Sequence, residues 1–262
     1  MKIKQVVDAL ERFAPLPLQE DYDNAGLQVG LTEAEISGAL LCLDVTPKIV
    51  DEAVELGCNL IVSHHPLIFH KLRCLTDENE VQQTVRKAIE NHVAIMSMHT
   101  NIDSATGGVN YKIAQKLGLQ NPVFFGKTKV VDGVNGGEGV VAEFETAVAA
   151  DDLVLLLKRT FDVECVMCNQ LLRRPIKKVA ICGGAGSFLL DDAIAAGADA
   201  FVTGEMHYHD YFGHDQEIQI AVIGHYQSEQ YTNEIFKSII EEACPGVACY
   251  LTKTNTNPII YL

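Results

Sequence analysis

The sequence has no tryptophan, and its 262 residues contain no apolar run long enough to cross a bilayer. After Met1-Lys2-Ile3-Lys4-Gln5, any apolar stretch is interrupted by Asp8, Glu11 and Arg12, so neither a secretion leader nor a membrane anchor is expected. Basic residues are few: 20 Lys and Arg stand against 35 Asp and Glu, a formal net charge of −15. That balance argues against a nucleic-acid partner, because phosphate binding rests on clustered cations. The one basic cluster, Arg173-Arg174-Pro175-Ile176-Lys177-Lys178, reads as a solvated strand edge, with phosphate steering as the sharper alternative.

Other absences narrow the chemistry. Cys165-Val166-Met167-Cys168 has no second pair at zinc-site spacing, so it reads as small hydrophobes on a strand. The remaining cysteines are scattered, and a reduced, cytoplasmic setting is expected. Gly183-Gly184-Ala185-Gly186-Ser187 lacks the lysine of a phosphate loop and the spacing of a dinucleotide fingerprint, so it reads as a tight turn. Ser63 and Ser228 lie beside histidines, but no Gly-x-Ser-x-Gly turn supports a serine nucleophile.

What is present is an α/β pattern, with 48% hydrophobic residues to supply a core. Helical spacing covers 4–14, Thr46 and Pro47 start a helix that Gly57 stops, and Leu60–Val62 is a buried strand. Further helices are expected at 80–91, 107–117, 149–159, 187–196 and 226–242. Strands are expected at 39–44, 92–98, 163–168, 178–182, 199–203, 218–223, 246–252 and 258–262. The Gly-rich stretch Asp132–Gly139 reads as a hairpin-like connector, and it suggests a boundary over 122–145, between a first half at 1–121 and a second at 146–262.

The two halves repeat each other. Asp51–His65 matches Asp191–Glu205 without a gap, and Val93–Asp103 matches Gln219–Glu229. This self-similarity suggests a duplication. It places His99 on His225 and Asp103 on Glu229, and it predicts that strand-end residues of both halves face one cleft.

Those strand ends carry the chemistry. Leu60-Ile61-Val62-Ser63-His64-His65-Pro66 ends a buried strand in two imidazoles, where open α/β sheets place their sites. His225 and Glu229 lie four apart at a helix start and share a face, as do His99 and Asp103. Alone, each pair reads as a solvated helix start; beside His64 and His65 they read as metal arms. Three imidazoles and two carboxylates, His64, His65, His225, Asp103 and Glu229, suit Zn, Fe or Mn rather than Ca or Mg. Two such ions would support metal-assisted hydrolysis. His99 is a candidate acid–base residue, or alternatively a group that orients Asp103. Glu205, His207, His209 and His214 crowd one loop that reads as solvated, or as the mouth of the cleft. Asp23 and Asn24 have turn chemistry, and spacing alone does not connect them to the site.

Five segments, in order along almost the whole chain, resemble the Nif-three-like family, whose members are labelled GTP cyclohydrolase I type 2 homologs. They are Asp23–Gly30, Ser63–Phe69, His99–Asp103, Thr203–Glu205 with its trailing histidines, and Gly224–Glu229. The resemblance implies two intertwined, duplicated α/β halves with mostly parallel mixed sheets, and a dinuclear metal site. The ligands it implies are His64, His65, Asp103, His225 and Glu229. It also implies a ring-like homohexamer. A metal-dependent hydrolase acting on a small nucleotide or phosphate-bearing substrate is expected; the alternative is a metal-binding scaffold or regulatory interaction protein without turnover.

Overall fold

In the computed structural model, which describes residues 1–260, the amphipathic start of the chain is helix α1 (Ile3–Phe13), with Ile3, Val6, Val7 and Leu10 buried on one face. Contacts divide the chain into two compact units. One is Met1–Ile102 with Thr232–Ile260, and the other begins at Asp103 and runs through Tyr231.

The first unit continues with β1 (Gly26–Val29), β2 (Ala39–Cys42), α2 (Pro47–Glu55), β3 (Leu60–Ser63), α3 (Glu80–Glu90), β4 (Ala94–Ser97) and α4 (Thr100–Asp103). Thr46 caps α2 by accepting from the Ile49 N–H, and Pro47 supplies a first turn that needs no donor. Gly57 then takes a left-handed φ of +69° and turns the chain into β3. Strands β2, β3 and β4 are parallel and buried at every position, with Cys42, Ser63 and Ser97 in register at their ends. β1 pairs antiparallel with β4 at one edge.

The second unit holds α5 (Val109–Lys116), β5 (Gln120–Val131), β6 (Val134–Val148), α6 (Ala150–Phe161), β7 (Met167–Cys168), β8 (Ile176–Cys182), α7 (Leu190–Ala195), β9 (Ala200–Thr203), β10 (Gln219–Val222) and α8 (His225–Glu229). Its sheet runs in the order β5-β6-β8-β9-β10-β7. β8, β9 and β10 are parallel, and the other pairs are antiparallel. The duplication is visible in this topology: each unit has three parallel buried strands and an antiparallel strand beside the third. Helix α9 (Thr232–Ala243) and β11 (Cys249–Leu251) return to the first unit, where β11 pairs in parallel with β2.

The Gly-rich stretch, expected to be hairpin-like, is the turn of a long hairpin, β5–β6, within the second unit, closed by Asp132 and Gly133, both at positive φ. Its glycines make room for rings on the partner strand: a Cβ at Gly137 would meet Phe124 at 2.7 Å, and one at Gly139 would meet Phe125 at 2.4 Å. By contacts the chain passes between the units after Ile102, within α4, and after Tyr231. The expected helix 226–242 is interrupted at Gln230 and Tyr231. The strand expected at 163–168 spans only Met167–Cys168. Residues 258–260 form no strand, and 261–262, the rest of the expected closing strand, lie outside the described residues. Among the described residues, no helix is long and apolar enough to cross a membrane.

Candidate metal centre

In the first unit the candidate ligands follow directly from β3. The pairing with β2 continues past the strand: the His64 N–H donates to Cys42 O (3.2 Å) and the His65 N–H to Leu43 O (2.9 Å). The backbone under both imidazoles is thereby fixed. His64 is fully buried, and its Nδ1 lies 2.9 Å from Met98 O. A carbonyl only accepts, so Nδ1 carries the proton and the lone pair of the neutral ring is on Nε2.

His65 is half-buried, and its Nδ1 lies 2.7 Å from Asp44 Oδ1. Asp44 Oδ2 accepts from the Thr256 hydroxyl at 2.7 Å. His99 completes the group, with Nδ1 2.8 Å from Asp23 Oδ1. Asp23 Oδ2 accepts from the backbone N–H and the hydroxyl of Thr100. Burial raises the energy of both carboxylates. The hydrogen bond and charge of His99, with Thr100 and the Asn24 N–H, nevertheless hold Asp23 down to about 2. His65 and Thr256 likewise keep Asp44 below its ordinary value.

Each of the three imidazoles thus has Nδ1 against an oxygen acceptor, and in the neutral ring the lone pair falls on Nε2. The ring centroids are 4.9, 5.3 and 5.5 Å apart. The ligand nitrogens lie within 4.8 Å of one another, close enough to hold a metal ion. Imidazoles oriented by carboxylates and a carbonyl are the usual surroundings of a metal-binding histidine.

The second unit carries acid groups around its corresponding strand ends. His225 opens α8, with Nδ1 2.9 Å from Glu205 Oε1 and Nε2 3.1 Å from Glu229 Oε2 one turn on. Glu229 is buried, and its carboxylate lies within 4.8 Å of that of Asp103. Ser228 anchors the helix start: its hydroxyl donates to His225 O (2.8 Å) and accepts from the Gly184 N–H (2.9 Å). At Gly184, which has φ +60°, a Cβ would come 2.2 Å from Glu229 Oε1, so any other residue there would displace the carboxylate. The turn Gly183–Gly186 therefore makes room for Glu229. Cys182 stays a thiol, pushed up by burial and then by Asp103 and Glu229.

The register refines the repeat. Met98 N donates to Ser63 O, and Ile223 N to Thr203 O, so the strands themselves align one residue differently from the His–acid arms. Gly224, at φ +96°, lies where the extra residue is taken up before α8. In the loop of trailing histidines, His207 and His209 are exposed, and His214 pairs with Glu217 at 2.9 Å.

The sequence reading did not include Asp44, Glu205 as the holder of His225, or Thr256, and it left Asp23 unconnected. A signal existed for Asp44, which sits just past β2, beside the strand that ends in His65. Thr256 gave none, because it lies 212 residues from its partner.

The fold and these groups define a duplicated α/β protein with side-chain clusters able to hold a metal ion. Comparison with known proteins agrees. Residues 1–258 match the family described as Duf34/NIF3 (NGG1p interacting factor 3). A "GTP cyclohydrolase 1 type 2 homolog" of Clostridium perfringens is 34% identical over 232 residues, 87% of each chain. A protein of the same description from Lactococcus lactis is 32% identical over 265 aligned positions, 98% of each. The crystal structure of a hypothetical protein from Staphylococcus aureus superposes with a TM-score of 0.89 at 28% identity, covering 100% of this chain and 99% of that one. The chain belongs to the Duf34/NIF3 family.

Proposed function

We propose that the protein is a dinuclear-metal hydrolase acting on a small nucleotide or phosphate-bearing substrate. The observation that carries this reading is the shared orientation of His64, His65 and His99, each with Nδ1 on an oxygen acceptor and Nε2 offered to the cluster. The ligands in this reading are those the family resemblance implies, His64, His65, Asp103, His225 and Glu229, with His99 as the acid–base candidate. When bound, two divalent ions supply Lewis acidity and an acidified water for hydrolysis. Zn, Fe or Mn fits the donors, which are nitrogen and carboxylate rather than carbonyl.

The protein's own residues supply orientation. Asp44 and Asp23 hold the His65 and His99 rings by Nδ1, and Glu205 does so for His225. The nucleotide class rests on the description shared by the relatives, and the ring-like homohexamer on the family resemblance. Eight free cysteines support a reducing, cytoplasmic setting.

Metal analysis of the purified protein, then a panel of nucleotides and phosphoesters, tests the reading. Fully loaded protein that turns over nothing in the panel leaves the metal-binding scaffold, which the family description as an interacting factor favours. A specific observation also favours a proton-carrying role for His99, namely its pairing with the strongly acidic Asp23. A His99→Gln variant that keeps full metal content but loses turnover would assign that role instead of ligation.

A further inference from the structure

Downstream of β11, burial alternates along Thr252-Lys253-Thr254-Asn255-Thr256: the threonines are half-buried, and Lys253 and Asn255 are exposed. All three threonine hydroxyls meet carboxylates of the first unit. Thr252 Oγ1 and Thr254 Oγ1 donate to Glu52 Oε2 at 2.6 and 2.7 Å, and the Lys253 N–H donates to Glu52 Oε1 at 2.8 Å. Glu52 lies on α2, and these bonds hold its carboxyl below the ordinary range despite some burial. The third hydroxyl, Thr256 Oγ1, donates to Asp44 Oδ2 at 2.7 Å, while Asp44 Oδ1 faces His65 Nδ1.

We propose that this threonine strap positions His65 for metal binding. Glu52 anchors residues 252–254, the anchor sets Thr256 on Asp44, and Thr256 fixes the rotation of the Asp44 carboxylate so that Oδ1 holds the proton of His65 on Nδ1. The physical basis is that a carboxylate gripped at only one oxygen turns about its terminal bond, whereas one gripped at both is fixed in plane. Thr256 is thus a positioning residue acting through Asp44. Its effect on metal rests on the reading of His65 as a ligand, but its effect on the ring tautomer does not.

Two measurements on the full chain test this. Nitrogen NMR of the His65 ring in metal-free protein reads the tautomer. The native protein and Thr256→Ser are expected to hold His65 in the Nδ1–H form, and Thr256→Val to give a mixture. Zinc competition against a chromophoric chelator reads affinity. Thr256→Val is expected to weaken zinc by up to about tenfold, the lower end for losing a ligand's outer partner, and Thr256→Ser to restore it. Asp44→Asn is expected to weaken zinc at least as much.

An unchanged tautomer and affinity in Thr256→Val, with Asp44→Asn still impaired, overturns the strap and leaves His65 a ligand. Unchanged zinc binding in both Asp44→Asn and His65→Ala overturns the ligand reading instead, and the tautomer measurement still decides the strap. A Thr256→Val protein that only melts lower, with native tautomer and affinity, marks the contact as structural and also overturns the strap.

Discussion

Gly184 and Glu229 exclude each other's atoms: a Cβ on the glycine would come 2.2 Å from Glu229 Oε1. Gly184→Ala is therefore expected to displace the carboxylate as well as strain a backbone at φ +60°. Gly197→Ala is the control, with φ +69° and nothing within 4 Å of its Cβ. Left-handed strain alone costs about 1–2 kcal/mol. Gly197→Ala should lose that much in thermal unfolding and keep its metal content. Gly184→Ala should lose more stability and also lose metal by elemental analysis.

Glu229→Gln preserves shape and removes charge. Metal stoichiometry should fall, measured by anomalous scattering at the metal edge. Two tightly held ions in that variant would count against Glu229 as a ligand.

Asp199 accepts from the Lys177 and Lys178 N–H groups at 2.9 Å and pairs with Arg174, which ties the start of β8 to the chain entering β9. Burial opposes its charge, but these donors carry its carboxyl below the ordinary value. A depressed folded value contributes stability that is present above the unfolded value and lost as pH falls through the folded one. Asp199→Asn should cost about 1–2 kcal/mol near neutral pH. In urea titrations, that deficit should shrink as pH drops below about 4.

The thiols should separate by access. Cys74 and Cys165 are exposed, whereas Cys42 and Cys182 are buried and pushed well up by burial. A thiol reagent should label Cys74 and Cys165 in native protein and reach Cys42 and Cys182 only after denaturant, as read by peptide mass analysis. Fast native labelling of Cys182 would contradict the packing around Glu229.

How much of this was legible in the sequence depended on range. The α2 cap, the β3 run and the His–acid arms are local patterns, and each element lies within a few residues of its expected place. The Gly-rich stretch was legible as hairpin-like, but the length of β5 and β6 was not, because Gly137 and Gly139 lie inside β6 and make room for the Phe124 and Phe125 rings, a relation visible only across the ladder. The break between α8 and α9 at Gln230 and Tyr231 has neither Gly nor Pro to announce it. The histidines were readable because they end strands, but their orienting carboxylates were not, since Asp23 and Asp44 lie 76 and 21 residues from their partners.

The glycines that distinguish the second half also make the two strand ends non-interchangeable. Thr203 and Gly204 stand where the first half has Ser63 and His64. A side chain at Gly204 would strike Gly184 O at 2.6 Å and Ser228 Oγ at 2.8 Å. A histidine at 204 would require accompanying change at Ser228 and in the 183–186 turn. The second half therefore cannot take up the first half's histidine by that one substitution, and the two strand ends are structurally committed to different side chains.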